Sequence, residues 1–350
     1  MDPIMNPYEI AHQQAGLVDR SSRGTVQVTG ADRTSFLQGL LTNDMTSLAR
    51  NGGCYAAWLT PQGRMITDMR VLLLDERILL GVRAVDASTI ARRLEQLVFS
   101  EDVQVHDVTK ELTQMRLVGP RSPRALTVAL GTLNTQPLPV TAEELETWPE
   151  YQGATILLDD TPVLIVRDNE LCVMGFDIHT FGPRQLATAV RIRTSLEQQG
   201  VVVIDHQTTE TLRIEAGRPL FGVDMDGDTI PLEAGIEDRA ISFSKGCYVG
   251  QEVIVRVTSR GQGRVVRKLV GLRLEGPVPS HGDPLFGKGR DIGRITSATY
   301  SPGLSAPIAL GYVHRDFVEP GTSVTVGHDG FATGTVTTLP FRASGVNRTV

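Results

Sequence analysis

The sequence predicts an α+β chain that ends in a small antiparallel β-barrel or sandwich. Two observations carry this. Up to about residue 265, stretches with apolar residues every three or four positions are mixed with short alternating runs bounded by turn residues. Beyond that point the texture changes: "KLVGLRL", "RDIGRITSATYS", "IALGYV" and "SVTVG" are short β-runs separated by Gly and Pro turns. At 350 residues the chain is long for one domain and predicts two or three. The expected division is 1–265 for the mixed core and 266–350 for the β-rich domain.

Taken in order, "NPYEIAHQQAG" is a helix with Pro7 at its start and Gly16 past its end. "GTVQVTG" is a short strand. "GADRTSFLQGLLTND" opens at Ala31 or Asp32 and puts Phe36, Leu37, Leu40 and Leu41 on one helix face. The next stretch, residues 52–82, reads as an antiparallel meander turning at "TPQG" and "LDER". "DASTIARRLEQLVFSEDV" is a helix with Ile90, Leu94, Leu97 and Val98 facing inward. Two strands follow, "VQVHDVT" and "ELTQMRLVGP". Residues 121–145, with a short helix and much Pro, Thr and Gly, are expected to be a variable surface segment. "TPVLIVRD" and "ELCVMGFDIHT" resemble a hairpin; "GPRQLATAVRIRTSLEQQG" is a helix, "VVVID" a buried strand, and "TTETLRIEAG" a helix ending at Gly217.

Composition narrows function. Charged residues make up 21% and the formal net charge is −6, which argues against a general nucleic-acid binder. No apolar run approaches the ~20 residues of a membrane helix, and "MDPIMNPYEIAHQQ" carries no secretory pattern. Cys54, Cys172 and Cys247 are odd in number and far apart, which predicts a reducing, cytoplasmic setting. With no Cys-x-x-Cys, no His-Glu-x-x-His and seven scattered histidines, no metal site is expected from this chain alone. "GKGRDIG" matches neither nucleotide-loop spacing, and "DMDGDT" lacks the glutamate of a calcium loop.

The stretch "SFSKGCYVGQEVIVR" stands out. Cys247 close to Lys245 and near a helix start has the setting of a reactive thiol. The competing reading is a small buried hydrophobe. Gly246 and Gly250 would let backbone approach a ligand. The run that follows fits a helix through Val249, Val253 and Val257, or a strand through Val253, Val255 and Val257. As a helix it would put Arg256 and Arg260 on one face, either solvated or docking an anionic partner; Arg264, Arg267 and Lys268 follow.

"KGCYVGQE" resembles the signature of the YgfZ-type folate-binding proteins, which assist iron–sulphur proteins and are paralogues of the glycine-cleavage T-protein, an aminomethyltransferase. The similarity runs along nearly the whole chain, through "VTGADRTSFLQGLLTND", "LTPQGRMITDMRVLL", "TLRIEAGRPLFGVDM", "IPLEAG" and "IGRITSATYSPGLSAPIALGYV". It implies a three-domain, T-protein-like fold around a central folate channel. The first two domains would interleave within 1–265, and the third would be a β-barrel. It implies tetrahydrofolate as cofactor, with Glu215 accepting from the pteridine edge and Arg213, Tyr248, Gln251 and Asn43 as further folate-binding residues. It also implies Cys247, Lys245 and Asp68 as the chemical groups, with Lys245 lowering the thiol pKa. T-proteins carry an Asp-Asp pair where this chain has Thr67-Asp68, and they lack the full Lys-Gly-Cys-Tyr arrangement.

Two readings follow from the resemblance. One is a folate-binding accessory factor for iron–sulphur client proteins, with an effect on tRNA modification, no stable nucleic-acid binding and no membrane association. The other is an aminomethyltransferase that docks an acidic lipoyl carrier through Arg256, Arg260 and Arg264. A weaker third is a folate-binding relic with a scaffold role.

Overall fold

The computed structural model describes residues 5–134, 136–260 and 264–341. Within them the chain builds two sheets and a barrel. The first sheet has five strands in the spatial order Gly53–Leu59, Met65–Leu73, Arg77–Arg83, Arg23–Thr29, Gln104–Asp107, all antiparallel. The predicted meander supplies its first three strands. The second sheet has six, in the order Val202–Ile204, Gly16–Asp19, Leu112–Val118, Gly175–Phe181, Thr161–Arg167, Gly153–Leu158. Its hairpin Thr161–Arg167/Gly175–Phe181 is the predicted one. The whole first sheet is inserted in sequence between Gly16–Asp19 and Leu112–Val118 of the second.

Each sheet is covered by helices on one face. Arg33–Leu40 and Ala87–Glu95 pack Phe36, Leu37, Ile90 and Leu94 onto Val26, Val28, Met69 and Val71. The alternation of strand residues puts Met69 and Val71 on that face and turns Asp68 and Arg70 to the other. On the second sheet, Ser122–Leu133 and Gln185–Gln198 bury Leu126, Leu130, Ile192 and Leu196.

Three expectations change. Residues 121–145 are not merely surface: Leu126, Ala129 and Leu130 are fully buried, because the helix supplies the second core. The strand in "VVVID" is an edge strand, with Val202 and Val203 exposed and only Ile204 buried. Leu97 lies past the end of its helix and is exposed, while Ile90 and Leu94 face inward as predicted.

The C-terminal residues close a six-stranded antiparallel barrel, in the order Arg267–Glu275, Ala306–His314, Arg290–Ser301, Pro284–Gly287, Ser323–Val326, Ala332–Thr337. Closure comes from the pairing of the first strand with the last. The helix His206–Glu215, capped by Asp205 on the Thr208 N–H, lies on the barrel. There Arg213 donates to Asp224 and to Ser297 Oγ, 2.8 and 2.9 Å away. A register shift between Ile295 and Ser297 accompanies this contact.

Candidate functional site

Between the two sheets sits a cluster of buried charges. Arg116 of the second sheet is completely buried and holds Asp177 with a two-pronged contact of 2.6 and 2.7 Å. It also reaches Asp168 at 2.7 Å and Glu170 at 3.0 Å. Arg70 of the first sheet meets the same Asp168 at 2.8 Å and contacts Glu170, which also pairs with Arg23 at 3.1 Å. Burial alone would raise the Glu170 and Asp177 carboxyls. The guanidiniums outweigh it, Arg70 foremost for Glu170 and Arg116 for Asp177, and hold both well below the usual carboxylate range. Next to them His179 is buried with neither ring nitrogen hydrogen-bonded among the described residues. Burial pushes its pKa down to about 4.

Two small cavities of about 20 Å³ each adjoin this cluster and share Arg23, Arg70, Gly81 and Tyr151 in their walls. One is lined by His179, Asp177 and Gln114. The other is lined by Tyr55, Asp68, Arg218 and Arg239. Asp68 accepts a 2.6 Å hydrogen bond from the Tyr55 hydroxyl, and the Arg239 guanidinium lies 4.7 Å from the Tyr55 ring centre. Burial, then the Asp68 charge, raises the Tyr55 pKa far above its ordinary value, so Tyr55 is a standing donor to Asp68. Tyr151 is held at φ +65, a conformation a bulky side chain rarely takes. Sequence reasoning missed Tyr55, Tyr151 and Arg239; an aromatic beside a lone basic residue has no fixed spacing to reveal it.

Strand alternation decides which of Thr67 and Asp68 reaches the cavity. Thr67 is buried on the core side, and Asp68 is the one that faces the cavity.

Asn43 and the signature segment sit next to this wall. The Asn43 amide donates to the carbonyls of Tyr55 and Arg239, 2.9 and 3.0 Å away. The Lys245 ammonium donates to three carbonyls, Gln38, Leu41 and Asn43, at 2.7, 2.7 and 2.8 Å. It thus caps the C-terminal end of Arg33–Leu40, where a cation is favoured. Desolvation brings its pKa down to about 8. All three of its N–H donors go to backbone, so it hydrogen-bonds no thiol. What these bonds do is clamp the Lys245 segment to the end of Arg33–Leu40. The Tyr248 ring lies buried under that ammonium, 5.2 Å away. Cys247 is exposed and is a free thiol.

The two signature glycines have different roles. Gly250 has φ +86, and a Cβ there would meet the Thr60 carbonyl at 2.5 Å, so protein packing rather than a ligand requires it. A Cβ on Gly246 would meet nothing within 4 Å, so that glycine leaves open space next to Cys247. After Gly250 the chain is helical, Gln251–Val255, and continues as a π-helical turn. Gln251, half-buried, is the first residue of that helix, and Arg256 is exposed. The side chain of Arg260 lies outside the described residues.

Glu215 and Arg213 lie in a different neighbourhood. The buried Glu215 carboxylate accepts from the Tyr8 hydroxyl at 2.8 and 2.9 Å and from Ser301 Oγ, and its carbonyl accepts from the Phe341 N–H. Arg213 is taken up by Glu210, Asp224, Ser297 and the Arg218 carbonyl. Neither lines the cavities beside Asp68. The structure therefore joins Asn43, Asp68, Lys245 and Tyr248 through shared contacts and leaves Glu215 and Arg213 at the barrel junction.

Two helix-covered sheets followed by a closed antiparallel barrel are a T-protein fold. The aminomethyltransferase T of the glycine cleavage system from Bartonella henselae superposes with a TM-score of 0.83 at 24% identity, covering 97% of this chain and 89% of its own. Residues 2–245 match the GCVT N-terminal domain and residues 267–342 the glycine cleavage T-protein C-terminal barrel domain. The chain belongs to the glycine-cleavage T-protein family. It is similar to the aminomethyltransferase of Halothermothrix orenii, 29% identical over 97% of this chain and 91% of that protein. It is also similar to a putative chloroplastic transferase of Arabidopsis thaliana, 30% identical over 93% of this chain and 71% of that one. Among the described residues no helix is long and apolar enough to cross a membrane.

Proposed function

We propose that this protein binds tetrahydrofolate at the Asp68 cavity and serves iron–sulphur client proteins, with Cys247 as the group presented to them. The observation that carries the reading is the pairing of a clamped segment with an exposed thiol. Lys245 fastens "KGCYVGQE" to the wall that also carries Asn43 and Tyr55, while Cys247 stands in solvent beside the open space at Gly246. The wall suits a folate in donor chemistry: two tyrosines flank a carboxylate that can accept from pteridine N–H groups, and Arg239, Arg218 and Arg23 can meet an anionic tail. When bound, tetrahydrofolate supplies nitrogens that carry a one-carbon unit. At about 20 Å³ each cavity holds about one water. Binding therefore requires side chains of the wall to move aside.

A second reading, aminomethyl transfer, is favoured by one specific observation: the carboxylate facing the cavity, Asp68, is retained, and Tyr55 orients it. The relatives named aminomethyltransferase support the same reading. One pair of assays separates the two. Titration with tetrahydrofolate should quench Trp58, which shares the first sheet, and Asp68→Asn should weaken binding about tenfold, the worth of one charge-assisted hydrogen bond. Purified protein given tetrahydrofolate and an aminomethyl-lipoyl carrier should then release no methylenetetrahydrofolate. Steady release would overturn the first reading in favour of the second; loss of folate binding itself would remove both.

A further inference from the structure

On the outer edge of the second sheet a groove of about 1180 Å³ runs between the edge strand Val202–Ile204, the helix Pro7–Gln13 and the start of Ser122–Leu133. Its surface is apolar, from Ile10, Val128, Val202 and Val203, and the last three are 46%, 42% and 49% exposed. Among the described residues Val202–Ile204 pairs on one side only, in parallel with Gly16–Val18, and ends the sheet. Its outer row of backbone N–H and C=O groups is therefore open to another strand. Two cations, Arg121 and Arg124, stand on the rim. They are the charged residues of the groove lining, and neither has an ion-pair partner among the described residues.

We propose that this groove captures an extended, acidic segment of a partner protein by strand addition to Val202–Ile204. Backbone pairing would extend the sheet by one strand, and alternate side chains of the incoming segment would point to the groove. Small β-branched side chains fit the space over Val128 and Val203. Carboxylates on the segment would meet Arg121 and Arg124, a local positive spot on a chain whose formal net charge is −6. That charge pattern selects the partner: a second copy would bring the same two arginines and the same unpaired strand, with no acid in the groove to answer them. The proposal does not depend on what the folate wall does.

The test uses the full chain and two fluorescein-labelled, end-blocked ten-residue peptides, one alternating Val and Glu, the other Val and Lys. Anisotropy titrations should show saturable binding of the Glu peptide and at least about fivefold weaker binding of the Lys peptide, since two exposed ion pairs together are worth about 1 kcal/mol or more. Arg121→Glu with Arg124→Glu should reverse the preference. Val203→Asp, which places a charge of the peptide's own sign on the edge, should weaken the Glu peptide about tenfold or more. Unchanged circular dichroism and melting temperature establish that the variants fold. Equal binding of both peptides, no binding of either, or indifference to the arginine reversal would overturn the proposal. So would light scattering that shows a dimer dissolved by Val203→Asp, because a second copy would then be the occupant.

Discussion

The barrel and the space between the two sheets are filled by opposite chemistry. Inside the barrel, Leu272, Leu285, Ile295, Val313 and Phe317 are buried against one another in an apolar core. Between the sheets, Arg116, Asp168, Asp177 and His179 are buried just as deeply. An apolar core gains from burial outright. A charge cluster gains only if every member keeps its partners, because taking an ion out of water costs several kcal/mol. The difference teaches where structure has been arranged for something other than stability. The barrel holds itself together and anchors Glu215 and Arg213. The intersheet region accepts costly groups and keeps two small cavities and a strained tyrosine beside them.

The contrast is tested most severely at Arg116. Its guanidinium serves Asp168, Glu170 and Asp177 together. Arg116→Met would leave those buried carboxylates short of a partner and should cost about 3–5 kcal/mol. Both tryptophans, Trp58 and Trp148, pack in the sheet region, so urea unfolding followed by fluorescence reports that region. A cost under about 1 kcal/mol would mean that the cluster has no more cooperative weight than a surface ion pair.

Acid sharpens the comparison next. His179 titrates near 6.5 when unfolded and near 4 when folded, where burial keeps it neutral. The unfolded chain therefore binds more protons between these values. His179 contributes its full stability above pH 6.5 and loses it as pH falls toward 4, by roughly 3 kcal/mol over the whole window. The Glu170 and Asp177 carboxyls, held low by arginines, add their own loss further down, below the ordinary carboxylate range. His179→Gln should flatten urea midpoints measured between pH 6.5 and 4.5 while leaving the fall at lower pH. In the barrel, Ile295→Val should cost about 1 kcal/mol by loss of one buried methylene. Hydrogen exchange of the barrel strands should report the same cost at pH 7 and pH 5, since Ile295 packs into an apolar cluster.

The barrel was also the more legible region. Its strands announce themselves locally, by alternating apolar residues between Gly and Pro turns, and each pairs with a near neighbour in sequence or closes the ring. The helices over the sheets, with Leu37, Ile90 and Leu126 at helical spacing, were legible for the same reason. The intersheet cluster was not. Arg20, which faces Glu170 and Asp177, and Arg23, Arg70, Arg116, Asp168, Glu170 and Asp177 are spread over nearly half the chain, and each alone reads as a solvated charge. Edge position was equally hidden: "VVVID" has the composition of a buried strand, and only the sheet order leaves Val202 and Val203 uncovered. The signature drew attention to Cys247 and Lys245 but not to what Lys245 holds, since its acceptors are backbone carbonyls and leave no mark in side-chain identity.

The smallest expected effect on stability bears most on function. Within five residues the signature carries both kinds of group seen at larger scale, a buried ion that holds structure and an exposed thiol that does not. Lys245→Met removes the donor to three converging carbonyls, and the buried members of that set would be left without it, a cost of about 1–3 kcal/mol. Cys247→Ala touches a side chain exposed to solvent beside the open space at Gly246 and should change stability by less than about 0.5 kcal/mol. Activity of iron–sulphur enzymes in cells that depend on this protein should nevertheless fall with Cys247→Ala. A stable Cys247→Ala protein that supports full client activity would take the thiol out of the mechanism. A destabilised one would make Cys247 a packing residue, against its exposure.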